Sequence, residues 1–292
     1  MRGHDLNLEA PAGLTMQERM EAETALLEII PPDTRARVSV ADTTGLPHRW
    51  ICRLRAPDAD PRSRSYGMGT GVLVGPRHVL TSAHVLVSET DPGRTVGGRL
   101  LVQPARNGDF KPFKEVKILG WRVDPRWIVK NQRGRWRVQT RFDYGLVTLA
   151  EDVGSFRHPG LGQCTLAYWA APDICFPQTE IGIEPHKLAG QDAWSAGYPG
   201  DREPGTLHGG TGHVTVDPRL GILRHTIDTH HGQSGSPIWI KRHGMWCLVG
   251  IHSRVGGFTV PARGPMVPNS NAAALVSLDV ARQIEEWKRA GR

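Results

Sequence analysis

No stretch of this 292-residue chain approaches the roughly 18 consecutive apolar residues that a membrane helix requires, so insertion into a bilayer is not expected. Its start, "MRGHDLNLEAPAGLTMQERMEAE", lacks the apolar centre of a secretory signal, which points to the cytoplasm if Met1 is the native start. Cysteine is scarce. The four residues Cys52, Cys164, Cys175 and Cys247 show no CxxC spacing, which argues against a zinc or thioredoxin-like site; neither a metal nor a cofactor is expected. Cys164 and Cys175 are near enough in sequence to close a loop disulfide in an oxidising compartment, and four buried thiols are the slightly preferred alternative. Internal repeats and low-complexity segments are absent as well.

What is abundant is glycine (34) and proline (22) between short runs of Val, Ile and Leu, a pattern of strands and turns rather than of helices. Strand-like runs are "RWICRLRA", "GTGVLVGPRHVLTSAHVL" (broken at Gly75-Pro76), "KEVKILGWRV", "YGLVTLA", "GHVTVD", "GILRHTID", "SPIWIK", "MWCLVGIHS" and "AALVSL". Two helices frame them. Residues 14–30 begin with the capping box Thr15–Glu18 and stop at Pro31-Pro32; "LDVARQIEEWKRAG" puts Val280, Ile284 and Trp287 on one face. The net charge of +7 is arginine spread along the chain. Its densest patch, Trp121 to Arg141, reads as a solvated β-hairpin in preference to a nucleic-acid surface, since no nucleic-acid-binding motif accompanies it.

Three motifs carry chemistry. In "GQSGSP", Ser234 lies between Gly232 and Gly235, so the backbone can turn sharply, and the N–H groups of Gly232 and Ser234 can converge on a developing oxyanion. In "VLTSAHVL", His84 follows an apolar strand and can serve as the base. In "RFDYGLVTLA", Asp143 precedes an apolar strand and can orient that base. Each residue has a bland reading, as a turn serine, a core histidine or a turn aspartate. The three together, in the order His, Asp, Ser, are hard to explain as structure only.

These motifs resemble those of the chymotrypsin-like serine proteases. The Ser-Gly-Ser-Pro ending of the nucleophile loop, "SAGYPGD" (195–201) and "GIHS" (250–253) are similar to the glutamyl-endopeptidase branch, which includes the exfoliative toxins. "IIPPDTRARVSVADTTGLPHRWI" resembles the start of that branch's mature enzymes. The resemblance implies an all-β fold of two packed six-stranded antiparallel barrels with an N-terminal and a C-terminal helix. It divides the chain into an N-terminal extension or pro-segment (1–37), a first barrel with His84 and Asp143 (38–157), and a second barrel with Ser234, the specificity pocket and the C-terminal helix (158–292). The chain departs from trypsin-type zymogens at Gln233, where they carry the Asp that pairs with a freed N-terminus.

Two readings of the specificity pocket remain open. Asp228, six residues before Ser234, falls where trypsin-like enzymes bind Arg or Lys. Thr229 and His252, with Ser253 beside them, fall where the glutamyl-endopeptidase branch holds a substrate carboxylate, and Arg254 adds charge of the same sense. Charge complementarity favours Glu or Asp. His225, His230 and His231 lack a carboxylate-supported ligand set and read as loop histidines. The expected function is a serine endopeptidase, monomeric, acting on polypeptide substrates; a non-catalytic binding module and a nucleic-acid-binding protein are the alternatives, nucleic acid being the weaker. Glu28, directly before Ile29, is a candidate self-cleavage site, with retention of the N-terminal helix the preferred outcome.

Overall fold

The computed structural model describes residues 29–30, 32–57, 68–89, 95, 97–130, 136–171, 179–188, 190–255 and 270–291. Most of the expected 14–30 helix, Glu28 and Cys175 therefore lie outside the described residues. Ile29 and Ile30, which that helix would include, are not helical.

A short strand β1 (Ala36–Arg37) and a one-turn helix α1 (Val40–Thr43) lead into the first barrel. Its strands are β2 (Ile51–Arg55), β3 (Met68–Gly75), β4 (His78–Thr81), β5 (Leu101–Pro104), β6 (Val116–Val123) and, after an outlying hairpin β7 (Ile128–Lys130) and β8 (Trp136–Val138), β9 (Gly145–Leu149). They close antiparallel in the order β2-β3-β4-β9-β6-β5. The apolar runs explain this. Ile51, Leu54, Leu73, Leu80, Leu146 and Leu149 are all buried, and each such side chain contributes roughly 1.5–3 kcal/mol of burial. The solvated hairpin expected between Trp121 and Arg141 is present as β7–β8, with Trp136 and Val129 exposed and Lys130 over the Trp136 ring. One expectation needs correction. The run "TSAHVL" does not continue as strand, because β4 ends at Thr81 and Ala83–Leu86 form a one-turn helix, α2.

The second barrel is built from β11 (Gln191–Gly197), β12 (His208–Asp217), β13 (Ile222–His225), β14 (Pro237–Arg242), β15 (Met245–Val255) and β16 (Asn271–Leu275), preceded by the edge strand β10 (Thr179–Ile181). The antiparallel order β12-β11-β14-β15-β16-β13 closes through the pairing of β12 with β13. Outside the ring, β1 pairs with β12, and β10 adds to β15 in parallel. The five residues of β16, an asparagine, three alanines and a leucine, are all buried.

A chain of indoles joins the barrels: Trp50 to Trp169 (5.4 Å between ring centroids), Trp169 to Trp239 (6.1 Å) and Trp239 to Trp246 (6.5 Å). Such tilted and edge-on pairs add to the apolar burial itself. The chain then returns to the first barrel. The C-terminal helix α3 (Leu278–Ala290) is capped by Ser277, whose hydroxyl accepts from the Val280 N–H, and it packs Ile284, Val280 and Trp287 onto the core shared with that barrel. Cys52 and Cys247 are buried free thiols, whereas Cys164 is free but only half-buried.

Candidate active site

The candidate base and its acid come from turns at the same end of the paired strands β4 and β9 of the first barrel. At the end of β4, Ser82 leaves the strand and its hydroxyl donates to the His252 carbonyl (2.7 Å), fastening this corner to the second barrel. His84 follows on α2. Its Nδ1 lies 2.7 Å from Asp143 Oδ2, and its backbone N–H donates to Asp143 Oδ1 at 3.0 Å. Asp143 is fully buried at the end of the 140–142 turn, immediately before β9. Burial alone would raise its pKa; the His84 charge and the hydrogen bonds from His84 and Ser253 outweigh that and hold it below the ordinary carboxylate value. An ionised acceptor at Nδ1 puts the imidazole proton there and leaves Nε2 with its lone pair free.

The nucleophile loop belongs to the second barrel but is tied to the first. Thr70 on β3 donates its N–H to the Ser234 carbonyl (2.8 Å) and its hydroxyl to the Gly232 carbonyl (3.0 Å). Glycine is required at two places. Gly235 has φ +86°, and a Cβ there would lie 2.1 Å from the Thr70 carbonyl oxygen; Gly232 has φ +93°, and its Cβ would lie 2.5 Å from the Tyr198 carbonyl oxygen. Within the loop, Gln233 N–H donates to His230 O (2.9 Å), Gly235 N–H to His252 O (2.8 Å), and His231 O accepts from Gly200 N–H (2.6 Å). Among the described residues, the N–H groups of Gly232 and Ser234 find no such acceptor. Two unspent donors beside a half-buried serine are what an oxyanion hole requires. No hydrogen bond joins Ser234 Oγ to His84 among the described residues, a contact that in substrate-free enzymes often tightens only in the complex.

The pocket residues separate into two groups. Thr229 and His252 are buried, and the Thr229 hydroxyl has no partner among the described residues. His252 Nδ1 lies 3.1 Å from His225 Nε2. Burial, with the repulsion that a proton on His225 or His84 would add, holds His252 well below its ordinary pKa, and burial pushes His225 down to about 3. Both rings are therefore neutral near pH 7, and one of the two facing nitrogens carries the proton between them. Asp228 and Ser253 are turned to other tasks. The Asp228 carboxylate accepts from Ile30 N–H (2.7 Å), Thr34 N–H (2.8 Å) and Thr34 Oγ1 (2.6 Å). Ser253 is the extra residue of a bulge between His252 and Arg254, and its hydroxyl donates to Asp143 Oδ2.

Four expected residues, His84, Asp143, Ser234 and Gly232, are thus gathered at one junction of the barrels, with His252 reaching it through its backbone. His225 corrects an expectation: it lies in β13, buried, and not in a loop. The signal was present in "GILRHTID", where the alternation of a strand sets His225 on one face with Leu223 and Ile227, both core residues. His230 has its Nδ1 3.4 Å from Asp201, and among the described residues no group of three or more His, Cys, Asp or Glu is placed to hold a metal ion. Arg35, which meets Asp201 and Gln233, has no motif that would have singled it out.

Comparison with known proteins agrees with the family resemblance and the fold. The chain is 28% identical over 219 residues to a glutamyl endopeptidase of Bacillus licheniformis, covering 75% of this chain and 57% of that protein, less than two thirds of its length. It is 26% identical over 260 residues to an extracellular metalloprotease of Bacillus subtilis, covering 89% of this chain and 69% of that one. Among solved structures, a Glu endopeptidase in complex with MPD superposes with a TM-score of 0.64 at 18% identity, over 89% of this chain and 99% of the other. The protease Anisep from Arthrobacter nicotinovorans follows with a TM-score of 0.52 at 15% identity, over 80% and 93%. At these identities the two structures speak for the double-barrel fold. The trypsin-like peptidase domain matches residues 69–251, more than half of the chain and the whole span from β3 through the nucleophile loop to β15. By that match the chain belongs to the trypsin-like peptidase family, and its resemblance within the family is to the glutamyl-endopeptidase branch.

Proposed function

We propose that this chain is a serine endopeptidase that cleaves peptide bonds through Ser234, His84 and Asp143 and prefers Glu, then Asp, on the acyl side of the bond. The observation that carries the reading is the doubly hydrogen-bonded His84–Asp143 pair facing a serine loop with two unspent N–H donors. In the first step Ser234 Oγ attacks the substrate carbonyl carbon while His84 Nε2 takes the hydroxyl proton. Asp143 keeps the proton at Nδ1 and stabilises the imidazolium that forms. The negative oxygen is held by the Gly232 and Ser234 N–H groups. When the C–N bond breaks, His84 returns its proton to the leaving amine, and an acyl-enzyme remains. Water then attacks the ester with His84 again as base, releasing the acid and restoring the serine.

The acidic preference rests on the buried His225–His252 pair and the Thr229 hydroxyl. If His225 Nε2 donates to His252 Nδ1, the His252 proton sits on Nε2, where it and Thr229 Oγ1 can donate to a substrate carboxylate. A site built of such donors penalises a substrate that cannot accept them. The trypsin-like alternative would need a free carboxylate at Asp228, and both of its oxygens are already engaged by Ile30 and Thr34.

The test is covalent. A fluorophosphonate should label Ser234, and label it more slowly in His84→Ala. Modification at Ser236 would move the nucleophile, and failure to label any serine would favour a binding module on a peptidase fold.

A further inference from the structure

The loop that would hold the oxyanion cannot be fixed as trypsin-type zymogens fix theirs, since Gln233 carries no charge to pair with a freed α-amino group. The loop is nevertheless anchored on both flanks, and both anchors come from residues 30–35, almost two hundred positions away. On one flank, Asp228 receives its three hydrogen bonds from Ile30 and Thr34. On the other, the Arg35 side chain is completely buried and forks onto two carboxylates. Its Nε and Nη2 reach Asp33 at 2.9 and 2.8 Å, while Nη1 and Nη2 reach Asp201 at 3.0 and 2.7 Å.

The same Nη1 lies 3.5 Å from Gln233 Oε1, which also accepts the His230 N–H at 2.9 Å. The Asp201 turn meets the loop again where Gly200 N–H donates to His231 O. Bidentate guanidinium–carboxylate pairs are among the strongest and most directional of polar contacts. Here the guanidinium is buried while both carboxylates are partly exposed, and removing either partner leaves Arg35 with an uncompensated charge. Hydrogen bonding to Arg35 holds the Asp33 carboxyl far below the usual range.

We propose that residues 30–35 are an internal strap that presets the oxyanion loop, with Arg35 and Asp228 as positioning residues that stand in for an activation ion pair. Neither touches substrate. Arg35 acts on Ser234 through Gln233 and the Asp201 turn, and Asp228 steadies the start of the segment that leads to the pocket. The catalytic part of this inference rests on the serine-endopeptidase reading; the mechanical part does not.

Two readouts on the full chain separate them. In Arg35→Ala, hydrogen exchange should quicken in peptides covering 228–236, where the Gln233, Gly235 and Ser236 amides lose protection, and stay unchanged over β9. On a Glu peptide substrate, kcat should fall about 100-fold, the scale of losing one oxyanion donor, with KM moving less than about threefold. Arg35→Lys, which keeps the charge without the fork, should recover part of that loss. Should Arg35→Ala fail to fold, Asp228→Asn serves: it keeps the shape, replaces one accepting oxygen with an NH2 that cannot accept from Ile30 or Thr34, and should quicken exchange over the same peptides to a smaller degree. Unchanged exchange over 228–236, or exchange raised equally in both barrels, overturns the strap. A kcat within about threefold of wild type despite a loosened loop overturns its catalytic role. A wild type that neither turns over nor labels, yet shows the localised exchange change, removes the endopeptidase reading and leaves the strap standing.

Discussion

The two barrels bring unequal equipment to their junction. The first carries the candidate base and acid on turns next to its own strands: His84 and Asp143 are 59 positions apart, one just after β4 and the other just before its partner β9, and hold each other through two hydrogen bonds. The second carries the candidate nucleophile on a loop that hydrogen bonds within itself, Gln233 N–H to His230 O and His230 N–H to Gln233 Oε1, and is also tied to distant segments. Its carbonyls are tied by Thr70 of the first barrel, its Gln233 and Asp228 by the segment 30–35, and a buried histidine pair drawn from β13 and β15 lies beside it. A rigid acid–base half thus faces a supported nucleophile half. The lesson is that the parts that do chemistry are short local motifs, while the parts that place them are long-range contacts.

Breaking the first half should cost most. Asp143→Asn keeps the shape of the side chain but can donate a proton where His84 Nδ1–H needs an acceptor, so the imidazole is pushed to the wrong tautomer. Steady-state kinetics should show kcat lowered by about 10⁴-fold, with little change in KM. A fall of tenfold or less would mean that Asp143 does not orient the base.

Breaking the second half at its pocket should cost less and should depend on substrate. His252→Ala removes a donor for the acidic side chain, and kcat/KM for Glu peptides should drop by roughly ten- to a hundredfold, with a smaller change for apolar residues at the same position. Equal losses on both substrates would assign His252 to the loop's architecture alone. That outcome is physically open, because its carbonyl also receives the Ser82 hydroxyl and the Gly235 N–H.

A gentler probe sharpens the contrast through pH. His225 and His252 are held neutral, with His225 at about 3 and His252 well below 6.5, whereas in the unfolded chain both titrate near 6.5. The unfolded state then binds more protons than the folded state as pH falls below about 6.5. Stability is therefore complete above that value and declines below it, at up to about 1.4 kcal/mol per pH unit for each histidine. Denaturant midpoints should fall between pH 7.5 and pH 5, and His225→Gln should show a shallower decline. Parallel declines would place the acid sensitivity elsewhere.

This division also explains what the sequence could and could not disclose. The barrels were legible because β2, β3, β4 and β9 are apolar runs punctuated by Gly and Pro, and the three motifs were legible because the chemistry restricts residue types within a few positions. β11, "QDAWSAG", was not singled out as a strand, since a glutamine, an aspartate, a serine, two alanines and a glycine leave Trp194 as its one large apolar residue. The engagement of Asp228 was equally hidden. Its position relative to Ser234 suggested a basic substrate side chain as partner, and only the course of residues 30–34 across the fold supplies the three donors it actually meets. Ser253 likewise depends on a bulge, which shifts its hydroxyl to Asp143 and which no local pattern announces.

The joint claim, an active triad coupled to a carboxylate-binding pocket, is tested most directly by sequencing the ends of products from a mixed protein digest, with wild type and Ser234→Ala in parallel. The account predicts new C-termini that are chiefly Glu, with Asp next, from the wild type, and none from Ser234→Ala. C-termini of Arg or Lys, abolished by Asp228→Ser, would contradict the pocket; cleavage that persists in Ser234→Ala would contradict the triad.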